Sequence, residues 1–381
     1  MPRPNSPRVR GERGGQGASR TGSDHINNIK AFPHELHTRA ADLISQKDQK
    51  MAVLTNTFQT TQAVGNREEL SDVVSRITPE DTPIYSLIEK GKCNTYHPEW
   101  ETDELAAPGA NIREEGEEYA FGAITPPKRL GNYTQIMRKD WIISATQEVT
   151  AEAGNVQKRK YQKLKKGVEI RKDVEFAIAD TNASVSGATR EFGSLSTWLT
   201  SNVSRGAGGA NGGFSAGTGL TVAPTDGTQR PFTKAILDTV MQQGYQNGAN
   251  FRHVSVSPYV KSVFVTFMSD SNVAPFRYAV SQGGERNTIV ATADYYEGPF
   301  GTVMIHPNRV QAVSAGLARN AFFIDTDMLS FLWLRQIQED RDVAKTGDAD
   351  KGVIIGEGTL KVHNEKGLGV AADLFGLSEA S

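Results

Sequence analysis

No proline stands between Pro127 and Pro224, and inside that interval residues 146–181 keep one helical pattern. Val149, Val156, Tyr161, Leu164, Val168, Val174 and Ile178 make a thin apolar stripe along it. At about 1.5 Å per residue such a helix spans ~50 Å. Ordinary globular helices are shorter, so the spacing predicts a rod that crosses a flat molecule or lies against another subunit. Lys158, Arg159, Lys160, Lys163, Lys165 and Lys166 form a basic cluster on it. Helical geometry puts Lys158, Lys165 and Lys166 near one side and spreads the others around the cylinder. Two partners fit the cluster: phosphates of a nucleic acid, or an acidic segment of a neighbouring copy.

Such an acidic segment precedes the helix. Residues 94–145 lack a helical period. Their outgoing limb carries Glu99, Glu101, Asp103, Glu104, Glu114, Glu115, Glu117 and Glu118 against Arg113 alone. The return limb carries Lys128, Arg129, Arg138 and Lys139. Opposite charges on the two limbs fit a long β-hairpin, or a loop lying on an oppositely charged neighbour. Two solvated faces that keep the protein soluble would read the same way.

Upstream, residues 82–91 predict a helical turn: Thr82-Pro83 opens it, Ile84, Leu87 and Ile88 supply its apolar face, and Gly91 stops it. Residues 67–77 predict a short helix with Leu70, Val73, Val74 and Ile77 in step, ended before Pro79. Residues 51–66, rich in Thr and Gln, read as an extended arm. Residues 1–50 differ again. Their first half has almost nothing to bury and is expected to be disordered, and 33–47 could form one short helix. Met51-Ala-Val resembles a fresh translation start, so 1–50 is an upstream leader, a genuine arm or a removable assembly segment.

Downstream, residues 204–228 hold a concentration of glycine and predict a flexible loop. An α/β segment follows: a helix over 232–246, a strand over 252–257, and a helix opened by Ser257-Pro258. A hairpin then pairs 288–296 with 302–306 around a glycine-bracketed turn. Further strands are expected at 321–326, 330–335, 352–355 and 359–364. The class is α+β.

Composition narrows the function. Lys and Arg total 42 against 44 Asp and Glu, a net charge of −2, so only local patches could bind nucleic acid. No run approaches the ~18 apolar residues of a membrane span, and the N-terminus lacks the apolar core of a secretory signal. The single cysteine, Cys93, forms no internal disulfide and no Cys-rich zinc site. Lys92 beside it could lower its thiol pKa slightly, though an inert cysteine is the simpler reading.

Catalytic motifs are weak. GFSAG at 213–217 matches G-x-S-x-G, but glycine and alanine flank Ser215 where a strand-to-helix elbow is needed. HELH at 34–37 is not H-E-x-x-H, and the seven histidines make no other short-spaced pair. Asp325 and Asp327 could seat a cation, but a turn with solvated acids explains them better. No catalytic, cofactor or metal site is expected. A chain with a long helix, long exposed excursions and no site reads as an assembly component.

Two stretches sharpen this. AVGNREELSD at 63–72 and ITPEDTP at 77–83 stand near the start; AKTGD at 344–348, GEGTL at 356–360 and Asn364-Glu365 stand near the end. Together they resemble the major capsid proteins of tailed phages typified by phage SU-ten, and the element order resembles the Hong Kong ninety-seven capsid fold. The resemblance covers about 51–377. It implies an N-terminal arm with short helices at 51–93, an extended E-loop at 94–145, and a spine helix with part of a P domain at 146–203. It further implies an A domain at 230–312, after the glycine-rich loop 204–229, and P-domain strands at 313–381. It implies a shell of hexamers and pentamers around double-stranded DNA, a virion component assembled in the host cytoplasm. The implied partners are further copies, portal and decoration proteins, and DNA held non-specifically, with no membrane. An encapsulin-like compartment shell is the alternative; a hydrolase using Ser215 is a remote one. The inter-subunit candidates are Glu114, Glu115, Glu117, Glu118, Lys128, Arg129, Lys158, Lys163, Lys166, Lys345, Asp348, Glu357 and Asn364. Glu357 and Asn364 are expected at a subunit boundary, or as ties within the P-domain sheet.

Overall fold

A computed structural model describes residues 81–119, 121–150, 158–267, 294–340, 343–344 and 347–379. The leader 1–50, the arm 51–66, the helix 67–77, Val156, Lys345 and Thr346 lie outside the described residues, as does the first part of the 288–296 strand.

Two sheets organise the described chain. The four-stranded sheet has the order β1 (Glu89–Lys92), β12 (Leu329–Asp340), β13 (Ala349–Val362), β4 (Gln135–Ser144). The six-stranded sheet has the order β5 (Val203–Ser204), β14 (Leu368–Ala371), β11 (Ala321–Ile324), β8 (His253–Val256), β10 (Gly301–Pro307), β9 (Tyr295–Gly298). Two small hairpins stand apart: β2 (Glu99–Thr102) with β3 (Lys128–Gly131), and β6 (Gly213–Ser215) with β7 (Leu220–Val222). The helices are α1 (Pro83–Leu87), α2 (Ala145–Val149), α3 (Lys158–Ala179), α4 (Lys234–Gln246), α5 (Pro258–Thr266) and α6 (Ala315–Ala318).

The six-stranded sheet separates two cores. In β11 the run AFFI is apolar throughout because both faces are covered. Phe322 and Ile324 join Phe331, Trp333, Leu360, Val174 and Ile178 on one side. Ala321 and Phe323 join Leu237, Val240, Val260 and Phe264 from α4 and α5 on the other. Ser257 accepts from the Val260 amide at 3.2 Å and Pro258 follows, so α5 opens where the sequence places it.

The expected single helix over 146–181 is broken. α2 ends at Val149, the backbone of Thr150 is extended, and the described part of α3 runs from Lys158. Val149 is exposed, so nothing packs there to carry a helix through a β-branched pair. The described α3 spans ~33 Å at the standard rise. Its stripe is also shorter: Ile170, Val174 and Ile178 are buried, while Leu164 is exposed. Glu175 is fully buried beside them. Its carboxylate accepts from the amides of Ile84 (2.9 Å) and Tyr85 (2.7 Å) and from Asn308 Nδ2 (2.6 Å). It thereby caps α1, whose own Thr82 makes no side-chain cap. Burial pushes this carboxyl above its ordinary value, and the three donors pull it back.

The strands expected at 352–355 and 359–364 are one strand, β13. Glycines inside it read as breaks, yet they make room for rings. A Cβ on Gly352 would lie 2.2 Å from Trp141.

The glycine-rich loop is likewise ordered in place. Phe214 of β6 stacks on Trp198, with centroids 5.6 Å apart. Asp373, in the left-handed region at φ 59, accepts from the amides of Gly206 and Gly227, each at 2.9 Å. These glycines serve close backbone approach rather than looseness: a Cβ on Gly206 would sit 1.9 Å from the Thr228 carbonyl oxygen. Gly206→Ala is therefore expected to destabilise the fold by ~1–3 kcal/mol. Gly217→Ala, with open space around its Cβ, should leave the melting temperature nearly unchanged in the same thermal scan.

Candidate assembly surfaces

The β2–β3 hairpin pairs only four positions, from Glu99 opposite Gly131 to Thr102 opposite Lys128. The long hairpin expected over 94–145 is thus a short base carrying an irregular arm. Pro108, Gly109, Pro126 and Pro127 interrupt any ladder, and the return limb leaves to form β4, which pairs with β13. Arg129 forms an ion pair with Glu99 across the base. Trp100 donates to the Val362 carbonyl at 2.8 Å, and Lys366 reaches Glu104 at 2.7 Å. The base is fixed to the body of the molecule, and the arm from 105 to 125 projects from it.

The arm exposes what a monomer normally hides. Leu105, Ile112, Tyr119, Phe121 and Ile124 are between 88% and 99% exposed. Glu114, Glu115, Glu117 and Glu118 are exposed among them, with Arg113 at 3.6 Å from Glu117. Apolar side chains offered on a charged, projecting strap mark a surface that another molecule covers. Lys128 is exposed at the foot of the strap.

The basic ridge of α3 already meets acids of its own chain. Lys163 lies 2.5 Å from Glu339 of β12, Arg159 is 3.1 Å from Asp350 of β13, and Lys166 is 2.9 Å from Glu169. Lys158 is the first described residue of the helix. Only Glu169 is a sequence neighbour; Glu339 and Asp350 arrive from strands at least 176 residues away, where sequence reading could not see them.

Glu357 is enclosed at the centre of β13. Its carboxylate takes Arg190 and Thr134 on one oxygen and Arg335 on the other, the last at 2.9–3.0 Å. Burial pushes its pKa up, but the hydrogen bonds from Arg190, Thr134 and Arg335 together outweigh it and hold the carboxyl below the ordinary range. Within one subunit this geometry ties β13 to Thr134, Arg190 and β12. Asn364 accepts from the Lys366 amide at 3.0 Å and opens the turn Glu365–Gly367, whose Glu365 carboxylate holds the amides of Thr200 and Ser201. The Asp348 carbonyl accepts from the Ala145 amide, and Gly347 has φ 80, as a turn requires.

The family described as SU10 major capsid protein matches residues 53–375. This chain belongs to the SU10 major capsid protein family. Over 112 residues it is 36% identical to the major capsid protein of Escherichia phage Phieco32; that stretch is 29% of this chain and 32% of the length of that protein. Among solved structures, it is similar to the capsid asymmetric unit of cyanophage Pam1, with TM-score 0.53 and 12% identity over 86% of this chain and 100% of that one. Gordonia phage Cozz gives TM-score 0.50 and 14% identity over 86% and 97%. At such identities the likeness concerns the fold, and it is the α+β phage-capsid fold that the sequence resemblance implied.

The SU10 family is one of structural capsid proteins, and the weak catalytic motifs fit that setting. Ser215 ends β6 and enters the turn to β7, not a strand-to-helix elbow. Asp325 accepts from the amides of Asn250 and Asp327, so the pair of acids shapes a turn. The Cys93 thiol is pushed up by burial and by the charge of Glu357, opposite to the effect expected of Lys92. The fold does bring together two histidines that the sequence keeps apart, His253 and His306, and sets His363 against Ser330. Among the described residues no cluster of three or more His, Cys, Asp or Glu could hold a metal ion, and no helix is long and apolar enough to cross a membrane.

Proposed function

We propose that this chain is the major capsid protein of a tailed bacteriophage, assembling into the hexamers and pentamers of an icosahedral shell around double-stranded DNA. The observation that carries the reading is the arm 105–125, which leaves five large apolar side chains to be covered by another copy. In this reading the arm is the E-loop, α3 the spine helix, the four-stranded sheet with the first core the P domain, and residues 230–312 the A domain. Portal and decoration proteins are the other partners, DNA contacts are non-specific, and assembly takes place in the host cytoplasm. Heterologous contacts of one arm on the next copy close into rings, as hexamers and pentamers require. Negative-stain imaging of the purified full-length protein tests this: closed shells or hexameric rings support it, and a monodisperse monomer at high concentration overturns it.

The charged ridge supplies a finer test. The acids Glu114, Glu115, Glu117 and Glu118 face a neighbour's Lys163 and Lys166 in this reading, with Lys128 and Arg129 at the arm's foot. Lys163→Glu with Lys166→Glu is then expected to block empty shells, and Glu114→Lys with Glu117→Lys to restore them. The own-chain pair with Glu339 is exposed and contributes about 0–1 kcal/mol, too little to account for such a block. Normal empty shells, or restoration by Glu339→Lys instead, would sink the pairing.

A further inference from the structure

β8 and β10 run parallel, with Met304 opposite His253 and His306 opposite Ser255. Across this pair, His253 Nδ1 and His306 Nε2 lie 2.9 Å apart, with ring centroids separated by 5.1 Å. At that distance one ring nitrogen donates a proton and the other accepts it, so at least one imidazole is neutral.

The groups around the pair leave little to balance a second charge. Arg252 precedes His253 in the chain, and its guanidinium is 3.9 Å from Asp327. Lys261 of α5 gives its ammonium to the Asp294 carboxylate at 3.0 Å and the Ile305 carbonyl at 2.8 Å. From β11, Ile324 stands opposite His253, and the next residue, Asp325, has both carboxylate oxygens taken by backbone amides. The nearby acids are thus engaged, and two cations flank the rings.

We propose that the His253–His306 pair is a proton-sensitive tie between β8 and the β9–β10 hairpin. With one shared proton it is a hydrogen bond between strands; with a second it is a repulsion that loosens the hairpin. The hairpin is the part of the sheet able to respond. Among the described residues β9 pairs only with β10, and β10 meets β8 over four positions. Burial, then neighbouring positive charge from Arg252, His253 and Lys261, holds both imidazoles below their ordinary value. The folded state therefore binds fewer protons here than the unfolded chain. The tie is fully present above the unfolded histidine value of about 6.5 and is lost as pH falls through the lower folded values. Because the two rings interact directly, they titrate as a pair.

Hydrogen exchange on the full-length chain at about pH 7.5 and about pH 5.5, corrected for intrinsic rates, tests the tie. The Met304 amide, bonded to the Arg252 carbonyl at 2.9 Å, and the Asn308 amide, bonded to that of Val256 at 2.7 Å, report on it. Their protection is expected to fall at the lower pH by up to about tenfold per displaced histidine, since about pH 5.5 lies about one unit below the unfolded value. The β12–β13 amides should keep theirs. His253→Asn with His306→Gln should abolish the pH effect. Should that variant fold poorly, ring NMR of selectively labelled wild-type histidines decides: a coupled titration below the ordinary range supports the tie. Two independent titrations near the ordinary value, or unchanged protection at Met304 and Asn308 in acid, would overturn it.

Discussion

Deletion of residues 105–125 is expected to abolish shell closure while leaving the subunit folded. The described side chains removed are exposed, and Glu104 and the β2–β3 base remain attached through Lys366 and Trp100. The melting temperature of the unassembled subunit should accordingly change little. Assembly should change completely. Fully burying one large apolar side chain contributes about 1.5–3 kcal/mol, so five represent on the order of 10 kcal/mol per copy before ordering costs. Ordering an irregular strap and losing rotational freedom offset part of that, but no other exposed apolar segment of this size is present among the described residues to replace it. Electron microscopy and sedimentation of the deletion variant check the result. Normal shells from that variant would remove the arm from the assembly mechanism.

Glu357→Ala is expected to have the largest effect on the subunit itself, about 3–5 kcal/mol, because it strands two guanidiniums around a buried site. Arg190 is the more enclosed of the two and should account for most of the loss; Arg335, nearly half exposed, can turn to water. Glu357→Gln should lose less, since the amide oxygen still accepts one hydrogen bond. The pH dependence follows from the depressed carboxyl. Between its folded and unfolded values the folded state binds fewer protons than the unfolded chain. The stability from Glu357 is therefore complete above the unfolded carboxyl value of about 4.3 and disappears as pH falls through the lower folded value. Denaturant melts of wild type and Glu357→Ala across that range check it: the two curves should converge in acid. Parallel curves would mean that the network does not depend on the Glu357 charge.

Residue patterns alone determined where local chemistry decides the outcome. Ser257-Pro258 opens α5 and the bracket of Gly298 and Gly301 turns the β9–β10 hairpin, because these caps and turns depend on neighbours within a few residues. The α+β class and the capsid resemblance were also legible, since both ride on element order and end motifs. Tertiary structure decided the rest. The glycines of β13 and of the 204–228 loop look like breaks or slack until Trp141 and Thr228 are seen against them. The long apolar stripe of 146–181 fails at Thr150 because a stripe stabilises a helix only where something covers it, and Val149 is bare. Glu175 and Glu357 carry no local signature, for their donors come from segments 22 to 223 residues away. The same holds for His253 and His306, which only the pairing of two strands brings to 2.9 Å. Sequence periodicity records which face of an element is apolar; which partner covers that face is settled when distant segments meet, and buried charge can be tolerated only after they do.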